Sequence, residues 1–145
     1  MLIFALNRRF QVLEISLESA AITPIVSLEP EPYLQLHQRF EKVWTDLIWP
    51  RLSIAVDLEI LFVLGPTASF TDSRIVFIWL NSLATFQSGK FRFGKHFETR
   101  YEFDQDINQL LVNLPLIRSK IKWSEFLEAE IYTREPSIGK KKTLP

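Results

Sequence analysis

The chain has 145 residues, 47% of them hydrophobic, enough to bury one real core and a better fit to one domain than to two. Its 17 basic and 17 acidic residues cancel, which excludes a global field that would draw it to nucleic acid or to an anionic membrane. It has no cysteine, which excludes a disulfide framework and a thiolate nucleophile. Met1 to Leu6 lacks a basic leader and its apolar run stops at Asn7-Arg8-Arg9, so no signal peptide is expected. The longest apolar run falls well short of the about 20 residues that span a bilayer, and the expectation is a soluble cytoplasmic protein.

Leu2 to Leu6 and Phe10 to Leu17 read as two strands around the Asn7-Arg8-Arg9 turn. In the second, Phe10, Val12, Glu14 and Ser16 share one face, and Gln11, Leu13, Ile15 and Leu17 the other, more apolar one. Ala21 to Leu28 is a weaker third strand, and Pro24 places it at an edge because proline cannot donate to the ladder. Glu29-Pro30-Glu31-Pro32 then opens a helix from about Tyr33 to Trp49, with Leu36, Phe40, Val43, Trp44, Leu47 and Ile48 at helical spacing and Pro50 as its stop.

Leu58 to Leu64 is a nearly continuous apolar run of strand length, as expected for a strand buried on both faces. It ends in the turn Gly65-Pro66-Thr67-Ala68, and a helix from Asp72 to about Phe86 follows, with Thr71 or Asp72 able to accept the unpartnered N–H groups of its first turn. Beyond it, Phe91, Phe93, Phe97, Tyr101 and Phe103 alternate with charged residues, which favours a hairpin across Gly94-Lys95. Asp104 to Leu114 reads as a helix ended by Pro115, and Trp123 to Ala129 as a short helix behind Ser124. Ile131-Tyr132-Thr133 is a last strand, and Lys140-Lys141-Lys142 a frayed tail.

The segment Gly65-Pro66, Thr67-Ala68, Ser69-Phe70-Thr71, Asp72-Ser73, Arg74-Ile75 resembles the Gly-Pro-Gly-Ser-Phe-Thr-Gly-x-Arg-Ile/Val signature of the TsaB family. That family is the non-catalytic dimerisation subunit of the bacterial machinery that puts threonylcarbamoyl on tRNA adenosine. Asn81-Ser82-Leu83-Ala84 is similar to the segment closing the family's next helix, and Ile131 to Ile138 with the following lysines is similar to its Tyr-Leu-Arg-x-Pro tail. The resemblance implies an α/β fold: a single actin-like ATPase (ribonuclease H-like) lobe, β-β-β-α-β-α, over residues 1–90. A reduced C-terminal second lobe, residues 91–145, would pack on it and end in a basic tail at 139–145. Its function would be that of a scaffold, not an enzyme, which stabilises the catalytic threonylcarbamoyl transferase subunit (TsaD-like). An ATPase subunit (TsaE-like) would join the assembly, a homodimer would form when the chain is alone, tRNA would be met only indirectly, and neither membrane nor cofactor is implied.

Two departures from the pattern weaken nucleotide chemistry. At the first hairpin turn, where the actin-like fold holds phosphate and Mg²⁺ with an acidic and a small hydroxyl residue, this chain has Asn7, which cannot supply the anionic oxygen a hard cation favours. The family's flexible Gly-x-Gly is replaced by Gly65-Pro66-Thr67-Ala68, which removes an easy site for φ > 0. Gly65, Ser69 and Thr71 stay as weak anion-site candidates at a helix N-terminus, and the alternative function is a small nucleotide-binding or phosphotransferase protein. Ser69 has no evident base and reads as a turn or capping residue, and His37 and His96 lack metal-ligand spacing.

Ile75-Val76-Phe77-Ile78-Trp79-Leu80 puts large apolar side chains around a helix's whole circumference, which one-sided burial cannot hide. One side can pack on the sheet while the others meet the Tyr33 to Trp49 helix, leaving an apolar patch across the pair. In the resembled family this helix pair contacts the catalytic subunit. The expected partner surface is therefore Phe40, Trp44, Arg74, Val76, Phe77, Trp79, Leu80 and Asn81. The competing reading makes Ile75 to Leu80 a fully covered core helix or a strand, since the run is rich in β-formers.

Overall fold

Strands that are apolar on both sides need cover on two faces, and the architecture supplies it. A computed structural model describes residues 1–16, 18–19, 21–32, 34–54, 57–87, 89–99 and 107–127. Strands β1 (Leu2–Leu6), β2 (Phe10–Ile15), β3 (Ile22–Leu28), β4 (Leu58–Leu64) and β5 (Phe91–Phe97) form one mixed sheet in the order β3-β2-β1-β4-β5. β1 pairs antiparallel with β2 and parallel with β4; β2–β3 is antiparallel and β4–β5 parallel. On one face Leu2, Phe4, Leu6, Phe62 and Leu64 pack beneath α1 (His37–Val43), α2 (Trp49–Leu52) and α3 (Phe70–Phe86). On the other, Ile3, Ala5, Leu61 and Val63 meet Leu110, Leu114 and Ile117 of α4 (Ile107–Val112) and α5 (Leu114–Lys120). Each such Leu, Ile or Phe, removed from water, contributes roughly 1.5–3 kcal/mol. The chain is thus mixed α/β, with helices on both faces of a five-stranded sheet.

Both faces of β2 are used: Phe10 and Val12 are as deeply buried as Leu13 and Ile15. β3 lies at the sheet edge, where the missing N–H of Pro24 removes no internal ladder bond. Leu17 lies outside the described residues.

The first helix differs from expectation at both ends. Leu34 bonds back to Glu31 in a tight turn, the side chain of Gln38 accepts the Gln35 N–H at 2.8 Å, and regular helix starts only at His37. Pro50 does not stop it. Trp44–Ile48 is a π-helical turn, in which the Trp49 N–H reaches the Trp44 carbonyl, and α2 carries the chain on to Leu52. A proline ring strikes the carbonyl four residues back in a regular α-turn, and the wider turn just ahead of Pro50 accommodates it. The π turn also presents Leu47 and Trp49 to solvent while Ile48 stays in the core.

The C-terminal third departs further. There is no hairpin at Gly94: β5 is one strand running beside β4, with Leu58 opposite Phe91 and Leu64 opposite Phe97. β5, which a boundary at residue 90 would separate, is therefore the fifth strand of the same sheet. Gly94 is glycine for a packing reason, since a Cβ there would collide with the Ile121 side chain and sit 3.1 Å from the Trp123 ring. Pro115 does not end a helix but sits in the first turn of α5, where its missing N–H costs nothing. Among the described residues up to Leu127 no helix follows Ser124; it pairs with Phe93 through two backbone bonds of 2.7 and 3.0 Å and covers the outer edge of β5. Glu59 on β4 joins Arg92 of β5 and Arg118 of α5, tying that helix to the sheet. Tyr33, Tyr101, Phe103, the 104–106 start of the expected helix, the 128–129 end of the next one, the 131–133 segment and the lysine tail lie outside the described residues. Among the described residues no helix is long and apolar enough to cross a membrane. Gly94→Ala is expected to destabilise the chain by about 1–3 kcal/mol through overpacking, seen as a lower urea midpoint at unchanged slope.

Candidate functional site

Two structural features carry the candidate site: the turn between β4 and α3, and the surface where α3 lies against α1 and the π turn.

At the turn, the Gly65 N–H donates to the Leu6 carbonyl at 2.8 Å, stitching the end of β4 to the end of β1. Asn7, 2% exposed, places Oδ1 where it accepts both the Thr67 N–H at 2.8 Å and the Thr67 hydroxyl at 2.5 Å. The helix cap is Ser69, not Thr71 or Asp72: its Oγ accepts the Asp72 N–H at 3.0 Å, and α3 starts two residues earlier than the sequence indicates. Asp72 itself is buried in the first turn, where a carboxylate complements the positive end of the helix dipole, and its Oδ1 lies 3.2 Å from His37 Nδ1 at the start of α1. Of the three anion-site candidates, then, Gly65 is buried with its N–H on Leu6, Ser69 is occupied as a cap, and Thr71 is exposed. A second negative charge here would face the Asp72 carboxylate. Ser69→Ala is expected to cost about 1 kcal/mol by freeing the Asp72 N–H, measurable as a lower thermal midpoint.

On the helix pair, Val76, Phe77, Leu80 and Leu83 face the sheet and are buried, while Ile78 is half exposed on the opposite side. Aromatic rings run outward from the core: Phe4 to Phe10 at 6.2 Å, Phe10 to Phe40 at 4.8 Å, Phe40 to Trp79 at 5.4 Å, and Trp79 stacked on Trp44 at 4.9 Å and 23°. The outermost pair floors an open groove of about 360 Å³, walled by Trp49, Ser82, Leu83 and Phe86. Phe86 is 79% exposed at the end of α3, Leu47 46% and Trp49 38%.

The eight residues expected at a partner surface therefore separate. Trp44 and Trp79 come together, partly exposed, and Arg74 points to solvent. Phe40, Val76, Phe77 and Leu80 are buried in the chain's own core, so they support this surface and do not form it. Asn81 is engaged inside the chain, clasping the Leu127 backbone through Nδ2 at 3.2 Å and Oδ1 at 2.9 Å. The exposed aromatic residues of the groove that the expected surface lacked are Trp49 and Phe86. Trp49 was legible as a second tryptophan on the helix; Phe86 carries no signal beyond being apolar at a helix end.

His96 Nε2 lies 3.4 Å from the buried Glu98 at the end of β5, and among the described residues no group of three or more His, Asp or Glu is arranged to hold a metal ion. No protein-family model, curated protein or solved structure matches this chain.

Proposed function

We propose that this chain is a non-catalytic scaffold subunit of the TsaB type, which docks its paired helices on a TsaD-like threonylcarbamoyl transferase subunit and stabilises it for tRNA modification. An ATPase subunit (TsaE-like) joins that assembly, the same face pairs two copies when the transferase is missing, and tRNA is reached through the partner. With α1, the π turn and α2 taken as one continuous helical run, the element order up to α3 is β-β-β-α-β-α, which supports a first actin-like (ribonuclease H-like) lobe. The observation that carries the reading is the Trp44–Trp79 stack opening into a groove with Trp49 and Phe86. Aromatic side chains at a water-facing surface are what interface cores are rich in, and an apolar patch of this kind on one helix pair marks a contact. The turn supports the same reading, because the donors of Thr67 are spent on Asn7.

Co-expression with the transferase subunit of the same genome, followed by size-exclusion chromatography with light scattering, tests it. A stoichiometric complex is expected, and separate elution at micromolar concentration counts against docking. Calorimetry with ATP and Mg²⁺ tests the alternative of a nucleotide-binding or phosphotransferase protein. Flat titrations are expected; clear heat at millimolar or lower nucleotide favours the alternative.

A further inference from the structure

The carboxyl ends of parallel strands are where open α/β sheets take their ligands, and here β1 and β4 end side by side. The N–H and hydroxyl of Thr67, just past β4, converge on one oxygen, as turn donors converge on an anion. That oxygen belongs to Asn7, just past β1, and it is buried. The backbone repeats the link one step inward, from the Gly65 N–H to the Leu6 carbonyl. After the turn, α3 is capped by Ser69 and tied to α1 through Asp72 and His37.

We propose that the Asn7 side chain is a built-in positioning group that locks the β4–α3 turn, filling with the chain's own amide oxygen the acceptor position that a ligand oxygen would otherwise take. The angle at which α3 leaves the sheet, and with it the placing of Trp79 against Trp44, is then set without any bound nucleotide. The inference deepens the scaffold reading and rests on it for its purpose: a docking face held constitutively in its binding geometry.

Amide hydrogen exchange on the full chain tests it. In the unaltered protein the Thr67 N–H should exchange slower than in an open peptide by on the order of a hundredfold or more, and inorganic phosphate or Mg²⁺ with ADP at millimolar concentration should leave that rate unchanged. In Asn7→Ala the Thr67 N–H should lose that protection while the Phe62 N–H in the core keeps its own. Asn7→Asp, which retains an acceptor oxygen at the same place, should restore protection of Thr67. An unprotected Thr67 in the unaltered chain, a rate that phosphate or ADP slows, an Ala variant protected as before, or an Asp variant as unprotected as Ala would each overturn the lock. The arm on the unaltered chain decides the matter even where Asn7→Ala does not fold. Loss of the lock with transferase binding intact sinks this inference alone, and a protected Thr67 without a transferase complex sinks only the scaffold reading.

Discussion

Phe86→Asp and Trp49→Asp, made separately, should each abolish the proposed association with a transferase subunit while leaving the chain folded. Phe86 is 79% exposed, so in the free chain its carboxylate replacement stays in water and stability moves by about 0.5 kcal/mol or less. In an apolar contact the same carboxylate is buried without a partner, a penalty of about 3–5 kcal/mol, which lowers affinity by about 10²–10⁴-fold. Trp49, which lines the same groove from α2, tests the same face from a second helix. Phe77→Asp is the wrong probe. Phe77 is 7% exposed and faces the sheet, so its replacement strands a charge in the core and loses binding by unfolding. The check pairs calorimetric titration of the transferase subunit with circular dichroism melts of each variant. Both variants folding and binding as the unaltered chain does would place the contact elsewhere.

The contrast between Phe77 and Phe86 shows how far the sequence could be read. Hydrophobic run length located β1 and β4 closely, because a strand covered on both faces leaves little choice of residue: all five residues of β1 are buried. Run length could not tell which side of the Ile75 to Leu80 helix faces the sheet, since every residue in it is apolar. The direction is set by Val76, Leu80 and Leu83, one turn apart, and only contact with the sheet singles that row out. The turn was legible in part. Asn7 was visible as a residue unsuited to Mg²⁺, but its bond to Thr67 joins residues 60 positions apart and leaves no local pattern.

The proline readings failed in an instructive way. Pro50 and Pro115 both read as stops, yet each sits near the start of a helical turn, one behind a π turn and the other in the first turn of α5. The rule that proline breaks a helix applies to positions whose N–H must reach a carbonyl behind it; Pro115 has no such duty in the first turn of α5, whereas Pro50 lies inside a continuous helical run and is accommodated by the wider π turn ahead of it. Gly94 was misread for a parallel reason. A glycine among alternating aromatic and charged residues is a turn signal, but here it answers a steric demand from Ile121 and Trp123, a segment more than 25 residues away that no local pattern reports.

Phe40→Ala should be the most damaging single truncation on the helix pair. Phe40 is fully buried between Phe10 of the sheet and Trp79 of α3, at 4.8 and 5.4 Å between ring centroids, so it is the keystone joining three elements. Removing a buried phenylalanine side chain costs about 3–5 kcal/mol, including the cavity left behind, against a total stability of about 5–15 kcal/mol for a domain. Urea unfolding should show a midpoint lowered by that free energy divided by the slope, with the slope itself unchanged. The near-ultraviolet dichroism of the Trp44–Trp79 stack should weaken in the same variant below its unfolding transition, because Trp79 loses the ring that supports it from beneath. Partner affinity should fall only as far as that stack is disordered, and phenylalanine replaced by leucine at this position should recover most of both. A Phe40→Ala chain as stable as the original, with the stack signal intact, would mean that this ring does not support the groove floor and that the helix pair is held by α3's own contacts with the sheet.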